Sequence, residues 1–366
     1  MSAPPLRAPV AVGASALAVG DRHACVVEAG RVLCWGEGRF GQLGPGVART
    51  ETPVALPGVR DAVEVAAGLT TSCVRTKGGE VACLGSGYAP MSDAPSVPFL
   101  REPARVVSAV AWARGVAVGG ERAAVVTASG EVWFFETPSE RPIPKPGMDD
   151  AVQVAVGWEN VCARGVAGNV RCFGPNWGGE NGNGGDGEDL DWVDVVSAVL
   201  PDAAILDGAY HGCGGAVPAV AKACESRLEG AVDLAMSGRM GCAALASGQV
   251  ACWGVGPDEG PLNLGKLGFS RTPLIMAGIA DAVEVTVGDV FACARTRGGD
   301  VLCWGQNARG ELGREGAGSG TPKKVEGLGH VVEVDAGDGF ACARDEAGAV
   351  RCWGERPGRG VAPTVP

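Results

Sequence analysis

The stretch TPVALPGVRDAVEVAAGLTTSCVRTKGGEVACLG, Thr52 to Gly85, decides the fold. A Pro-led run comes first, the alternating run AVEVAAG follows, and two further runs flank Lys77-Gly78-Gly79, so the segment reads as four short strands joined by tight turns. No long helical pattern interrupts it. Anchored on Gly68, the same frame recurs at Gly20, Gly119, Gly157, Gly208, Ser237, Gly288 and Gly337, eight copies in all. A unit of about 50 residues with four strands is the size of a propeller blade, which buries its apolar faces only against its neighbours. The 366 residues are therefore read as one all-β domain spanning 1–366, a single propeller of four-stranded blades.

The 14 cysteines follow the same frame, as the pairs Cys25/Cys34, Cys73/Cys83, Cys162/Cys172, Cys213/Cys224, Cys242/Cys252, Cys293/Cys303 and Cys342/Cys352. The third copy lacks both members, with Ala124 and Phe134 in their places, as two facing side chains would require. Members stand 9 to 11 residues apart around short Gly-bearing turns, so they can oppose each other across a hairpin at Cα separations suited to a disulfide. Each such bridge would contribute up to about 2.5–3 kcal/mol by loop closure. Buried free thiols filling a crowded blade are the alternative. Zinc is disfavoured, since no C-x-x-C spacing occurs and no histidine recurs nearby.

Composition narrows the setting. A net charge of -11 argues against nucleic acid, whose binding needs clustered Lys and Arg, and favours neutral or positive partners. No 18-residue apolar run exists, so no membrane insertion is expected. Residues 1–20 make a poor signal peptide, yet paired cysteines in this number point to an oxidising compartment. Together with a bias to Arg and Ala that suggests a GC-rich bacterial source, this gives an extracellular or periplasmic protein, with a cytoplasmic one as the alternative.

Two segments carry a resemblance. Trp304 to Gly313, WGQNARGELG, and Trp35 to Gly44, WGEGRFGQLG, resemble the signature loop of the regulator of chromosome condensation repeat family. Similarity to that family implies a β-propeller, usually of seven blades, used as a scaffold for protein recognition. The eight copies conflict with that number at Gly208, which stands only 29 positions before Ser237 where most neighbours are 48 to 51 apart. Seven blades with a hairpin inserted over 200–228 is the favoured reading, and eight blades with one thin member is the alternative. A Gly-rich acidic excursion is read over 175–194.

Other motifs yield to the repeat. Gly36 to Gly41 satisfies G-x-G-x-x-G, but no helix follows to receive a pyrophosphate, and Gly260 to Lys266 lacks the Ser or Thr of a P-loop at Leu267. Asn181, Asn183, Asp186, Glu188, Asp189 and Asp191 offer oxygens that could hold calcium, although their spacing fails the EF-hand pattern, and no other cofactor is expected. His23, His211 and His330 are scattered and no nucleophile elbow occurs, so no catalytic residue is assigned. The variable positions between each anchor and the following cysteine are the functional clue. Equivalent turns of a propeller emerge on one face around the channel, which would gather Arg22, His23, Glu121, Arg122, Trp158, Glu159, Tyr210, His211, Arg239, Met240, Phe291 and Phe340. Of these, Trp, Tyr, Arg and Met are types enriched at protein interfaces, though Phe291 and Phe340 also suit a channel plug. The sequence thus points to a monomeric, non-catalytic propeller that binds another protein or peptide through this face. A guanine-nucleotide exchange factor for a small GTPase is the alternative, and an enzyme with its site at the channel mouth a further one.

Overall fold

The computed structural model describes residues 13–85, 105–106, 112–120, 122–136, 142–185, 187–196, 205–206, 209–210, 227–255 and 269–355. The first blade sets the pattern: Ala14–Val19, His23–Glu28, Arg31–Glu37 and Arg49–Ala55 form an antiparallel meander in sequence order. Six more sheets repeat it, the last showing three strands among the described residues, Val331–Ala336, Phe340–Asp345 and Val350–Gly354. The alternation seen in the sequence becomes a division of labour along each first strand. In Ala62–Ala67, Val65 packs against the first blade and Ala66 against the third, while Glu64 stands at the channel wall.

Seven apolar clusters hold the ring, and each joins two neighbouring blades. The cluster of Leu17, Trp35, Phe340 and Val350 fastens the last blade to the first, and that of Ala155, Val170, Leu234 and Trp253 joins the fourth directly to the fifth. Among the described residues no strand stands between these two blades. The described strands of the eighth copy, Ile205–Leu206 and Ala209–Tyr210, make a separate two-stranded sheet, so the ring has seven blades and the Gly208 copy contributes none.

The anchor glycines have a steric reason. A Cβ on Gly68 would strike the carbonyl of Gly119, one on Gly119 that of Gly157, and one on Gly337 that of Gly20. First strands thus converge at the axis until backbones touch, and only glycine admits this approach. Inter-blade bonds run around the mouth, from Asp21 N–H to Gly68 O (3.3 Å), Gly120 N–H to Gly157 O (3.1 Å) and Trp158 N–H to Gly238 O (2.9 Å). The last of these passes from the fourth blade to the fifth without the Gly208 copy.

Six of the seven cysteine pairs are disulfides: Cys25–Cys34, Cys73–Cys83, Cys162–Cys172, Cys242–Cys252, Cys293–Cys303 and Cys342–Cys352, with Cα atoms 4.0–4.1 Å apart. In every one the two cysteines are directly opposed in the register of the second and third strands. Buried free thiols, the alternative reading, do not describe these twelve side chains. Ala124 faces Phe134 in the same register, as the third copy implied. No described cysteine is free, and Cys213 and Cys224 lie outside the described residues.

Candidate functional site

In a four-stranded meander the turns after the first and third strands emerge at the same end. The turns at the channel mouth and the signature loops therefore share one face. The loops lock neighbouring blades: the indole N–H of Trp353 donates to Glu311 O (2.8 Å) and that of Trp253 to Glu180 O (2.9 Å). Within each loop the glutamate carboxylate accepts a backbone N–H, from Arg309 to Glu311 (2.8 Å) and from Gly178 to Glu180 (2.7 Å). Where the second blade has Leu84 in place of Trp, the Ser72 hydroxyl donates to Gln42 O (3.0 Å) instead. The segment Gly36 to Gly41 is part of such a loop, and Gly260 to Lys266 lies outside the described residues.

The cysteines take no part in this face. Cys34, Cys83, Cys252, Cys303 and Cys352 sit within the third strands, and their partners Cys25, Cys73, Cys242, Cys293 and Cys342 within the second strands, one strand behind the channel wall. Cys162 and Cys172 are placed alike in the fourth blade. Eleven of the twelve are buried and Cys83 is half-buried, so the bridges brace hairpins from within and offer no surface to a partner.

The region 175–194 is not an excursion. It is the fourth blade's signature loop followed by its outer strand Glu188–Asp194, anchored by buried Trp192. The Asp189 carboxylate accepts the side-chain amides of Asn176 (3.1 Å), Asn181 (2.8 Å) and Asn183 (3.2 Å), while Glu188 is exposed. Asp191 meets Lys145 at 3.4 Å, and Asp186 lies outside the described residues. Among the described residues no three His, Cys, Asp or Glu side chains converge on a point that could hold a metal ion.

The residues singled out at the turns divide by depth. His23, Met240, Phe291 and Phe340 open the second strands and are buried between blades, not displayed on the face. The two phenylalanines do not line the channel either; they enter inter-blade clusters, Phe291 beside Leu312 and Phe340 beside Trp35. His23 lies 2.8 Å from the Ser72 hydroxyl through Nε2, and burial pushes its pKa down to about 4. Arg122 is half-buried, donating to Glu159 O and lying over the Phe134 ring. Arg22, Trp158 (41% exposed) and Arg239 do reach the face, and Glu159 is half-buried beside them. Glu121, His211 and the side chain of Tyr210 lie outside the described residues. His330 pairs with Glu346 at 3.6 Å, in a different blade from His23. Exposed Trp177 and Phe40, at signature-loop tips, add to the face and were missed because the loops read only as structural punctuation.

The channel itself carries the chemistry that the turn-by-turn reading overlooked. It encloses about 300 Å³ and is lined by the seven first strands, which bring Glu64, Asp233, Glu284, Glu333 and Asp335 to the wall and Asp21 to the lip. The wall carboxylates clasp adjacent blades: Glu64 accepts Val116 N–H (3.2 Å), Asp233 accepts Val285 N–H (2.9 Å), Glu284 accepts Val334 N–H (3.3 Å) and Asp335 accepts Val19 N–H (2.7 Å). Behind them Arg75, Arg295 and Arg344 pair with Glu64, Glu284 and Glu333. Gln153 takes the same place before Arg164, at 2.9 Å. The signal was present as a Glu or Gln in the first strand with an Arg eleven residues later, replaced jointly by Ala16/Val27 and Gly115/Val126 in other copies. Burial, aided by Asp233, pushes Glu284 up to about 8 despite Arg295, and burial pushes Asp335 up to about 6.

Seven blades, a signature loop on each complete lock and a polar axial channel define a β-propeller scaffold. Profiles of the regulator of chromosome condensation (RCC1) repeat match residues 29–74 and 298–344, and a second profile of the same repeat matches 14–42 and 282–311. An RCC1 repeat-containing protein of Schizosaccharomyces pombe is 27% identical over 200 residues, 53% of this chain and 54% of that protein, so the match spans about half of the curated relative. Human WBSCR16 superposes with a TM-score of 0.70 at 17% identity, covering 93% of this chain and 86% of that one. Yeast RCC1 (Prp20), from a structure bound to Kap60, does so with 0.68 at 14%, covering 89% and 79%. The chain carries regulator of chromosome condensation repeats over residues 14–74 and 282–344.

Proposed function

We propose that this chain is a protein-binding propeller scaffold working outside a reducing cytosol, and that it engages its partner with the face formed by the mouth turns and signature loops. The observation that carries the reading is the exposure on that face of Trp158, Trp177 (65%) and Phe40 (37%) among Arg22, Arg39 and Arg239. Large aromatic and Arg side chains that the fold leaves out of its own cores are the anchors of protein interfaces. Kap60 bound to yeast RCC1 (Prp20) is a protein partner of a structurally similar propeller. The six disulfides support an oxidising compartment, since reduced surroundings would not maintain them.

Two measurements test this. Intact mass of the denatured protein, alkylated with and without prior reduction, should show at least the twelve described cysteines protected. Alkylation of those thiols without reduction would overturn the compartment and make nucleotide exchange on a small GTPase the next assay. Capture from an extracytoplasmic fraction of the source, comparing the wild type with the double variant Trp158→Ala/Trp177→Ala, should retain a partner that the variant loses. A partner held equally by both would overturn the assignment of the face.

A further inference from the structure

We propose that Met236 is an oxidation site on the channel wall, a thioether that peroxide converts to the sulfoxide, and that this conversion loosens the lock between the fourth and fifth blades. The inference stands on the wall and the lock, and holds whatever the outer face binds.

Met236 departs from the repeat frame. The residue before the anchor is Val or Ala in the other six copies that form the ring, as in Val19, Val156 and Val287, so Met236 is the long side chain at this level of the wall. A second departure accompanies it. Four residues after the anchor those copies have Ala, Ser or Val, as in Ala24 and Ala292, whereas the fifth blade has Gly241. A Cβ on Gly241 would lie 2.7 Å from the Met236 Sδ and 2.6 Å from the Trp253 ring, so the missing methyl is the space in which sulfur and indole meet. On its other side the Met236 Sδ touches Cys162 Sγ of the fourth blade at 3.4 Å, a sulfur tied to Cys172. The thioether therefore fills the seam between the two blades.

Access separates it from the other described methionines. Met148, Met240 and Met276 are buried, whereas Met236 is half-buried and lines the channel. The channel encloses about 300 Å³, room for water and for a molecule as small as hydrogen peroxide. Oxidation of sulfur follows such exposure.

The step is a two-electron oxygen transfer. The sulfur lone pair attacks one peroxide oxygen, the O–O bond breaks as the S–O bond forms, the peroxide is reduced to water and the thioether is oxidised to the sulfoxide. The new oxygen is a hydrogen-bond acceptor among side chains that offer it no spare donor. The Cys162 sulfur is held in a disulfide, Gly241 has no side chain, and the indole N–H of Trp253 already donates to Glu180 O at 2.9 Å. The oxygen must turn to channel water, drawing Met236 off the cluster of Ala155, Leu234 and Trp253, or take the Trp253 N–H from Glu180. Both routes weaken the bond that fastens the fourth blade's signature loop to the fifth blade.

Treatment of the native protein with dilute hydrogen peroxide, followed by peptide mass mapping, tests the site. Met236 should gain one oxygen while Met148, Met240 and Met276 stay reduced. The oxidised protein should melt at least about 2 °C lower, and hydrogen exchange over residues 178–182 should quicken. Met236→Leu, similar in volume and without a sulfur to oxidise, should show neither change after the same treatment. Met1 and Met91 are present in both proteins, so a shift common to both would arise elsewhere and overturn the proposal. A Met236 that stays reduced until the buried methionines oxidise, or an oxidised Met236 with melting and exchange unchanged, would overturn it equally.

Discussion

Asp335 is where the ring closes, and its replacement separates hydrogen bonding from charge. Its Oδ2 accepts the N–H of Val19, 316 residues earlier in the first blade, at 2.7 Å, and its Oδ1 accepts the Thr286 hydroxyl at 2.8 Å and the Ala336 N–H at 2.9 Å. Asp335→Ala orphans all three donors. Val19 is buried, so its N–H bears the full penalty of about 1–3 kcal/mol, while channel water can reach the other two; a total loss of about 2–4 kcal/mol follows. Asp335→Asn keeps an acceptor for Val19 and should cost about 1 kcal/mol or less at pH 7.5. Charge acts in the opposite direction. Burial holds the carboxyl pKa at about 6 against 3.8 in the unfolded chain, so the folded state binds the proton more tightly. That contribution is fully present below pH 4 and is lost as pH rises through 6. Its ceiling is about 3 kcal/mol, reduced by whatever water the channel admits. Urea unfolding of the oxidised protein, followed by tryptophan fluorescence at pH 4.5 and 7.5, reads both effects. The asparagine variant should show a decline in stability between those pH values smaller than that of wild type by up to about 2 kcal/mol, the rest coming from other raised carboxyls such as Glu284. An alanine variant within about 0.5 kcal/mol of wild type, or an asparagine variant with an unchanged pH slope, would refute the assignment of Asp335 as an inter-blade clasp.

Two further substitutions probe the ring. Gly119→Ala places a methyl against the Gly157 carbonyl and should cost about 1–3 kcal/mol by forcing two blades apart; thermal unfolding within a degree of wild type would contradict the close approach. Trp353→Phe keeps most of the buried ring but removes the donor to Glu311 O, for a loss of about 1–3 kcal/mol in urea, whereas a neutral effect would show that the loop is held by packing alone.

The repeat frame was legible in the sequence because each blade is built by local rules. Strand alternation, Gly-bearing turns and cysteines ten residues apart are consequences of hairpin register, and a hairpin is specified by the residues within it, as Cys162 opposite Cys172 and Cys293 opposite Cys303 show. Even the missing pair of the third copy was informative, since Ala124 and Phe134 face each other. Depth was not legible. His23, Met240, Phe291 and Phe340 follow a turn just as exposed residues would, and only the angle at which one blade leans on the next buries them. The number of blades was also beyond local reading, because a copy of the frame at Gly208 looks like its fellows until the contact between Ala155 and Leu234 closes the ring past it. Most of all, Glu64, Asp233, Glu284, Glu333 and Asp335 lie far apart in the chain and each reads as an ordinary polar position of a half-exposed strand. Circular closure alone brings them to one axis, where burial raises the pKa of Glu284, Glu333 and Asp335.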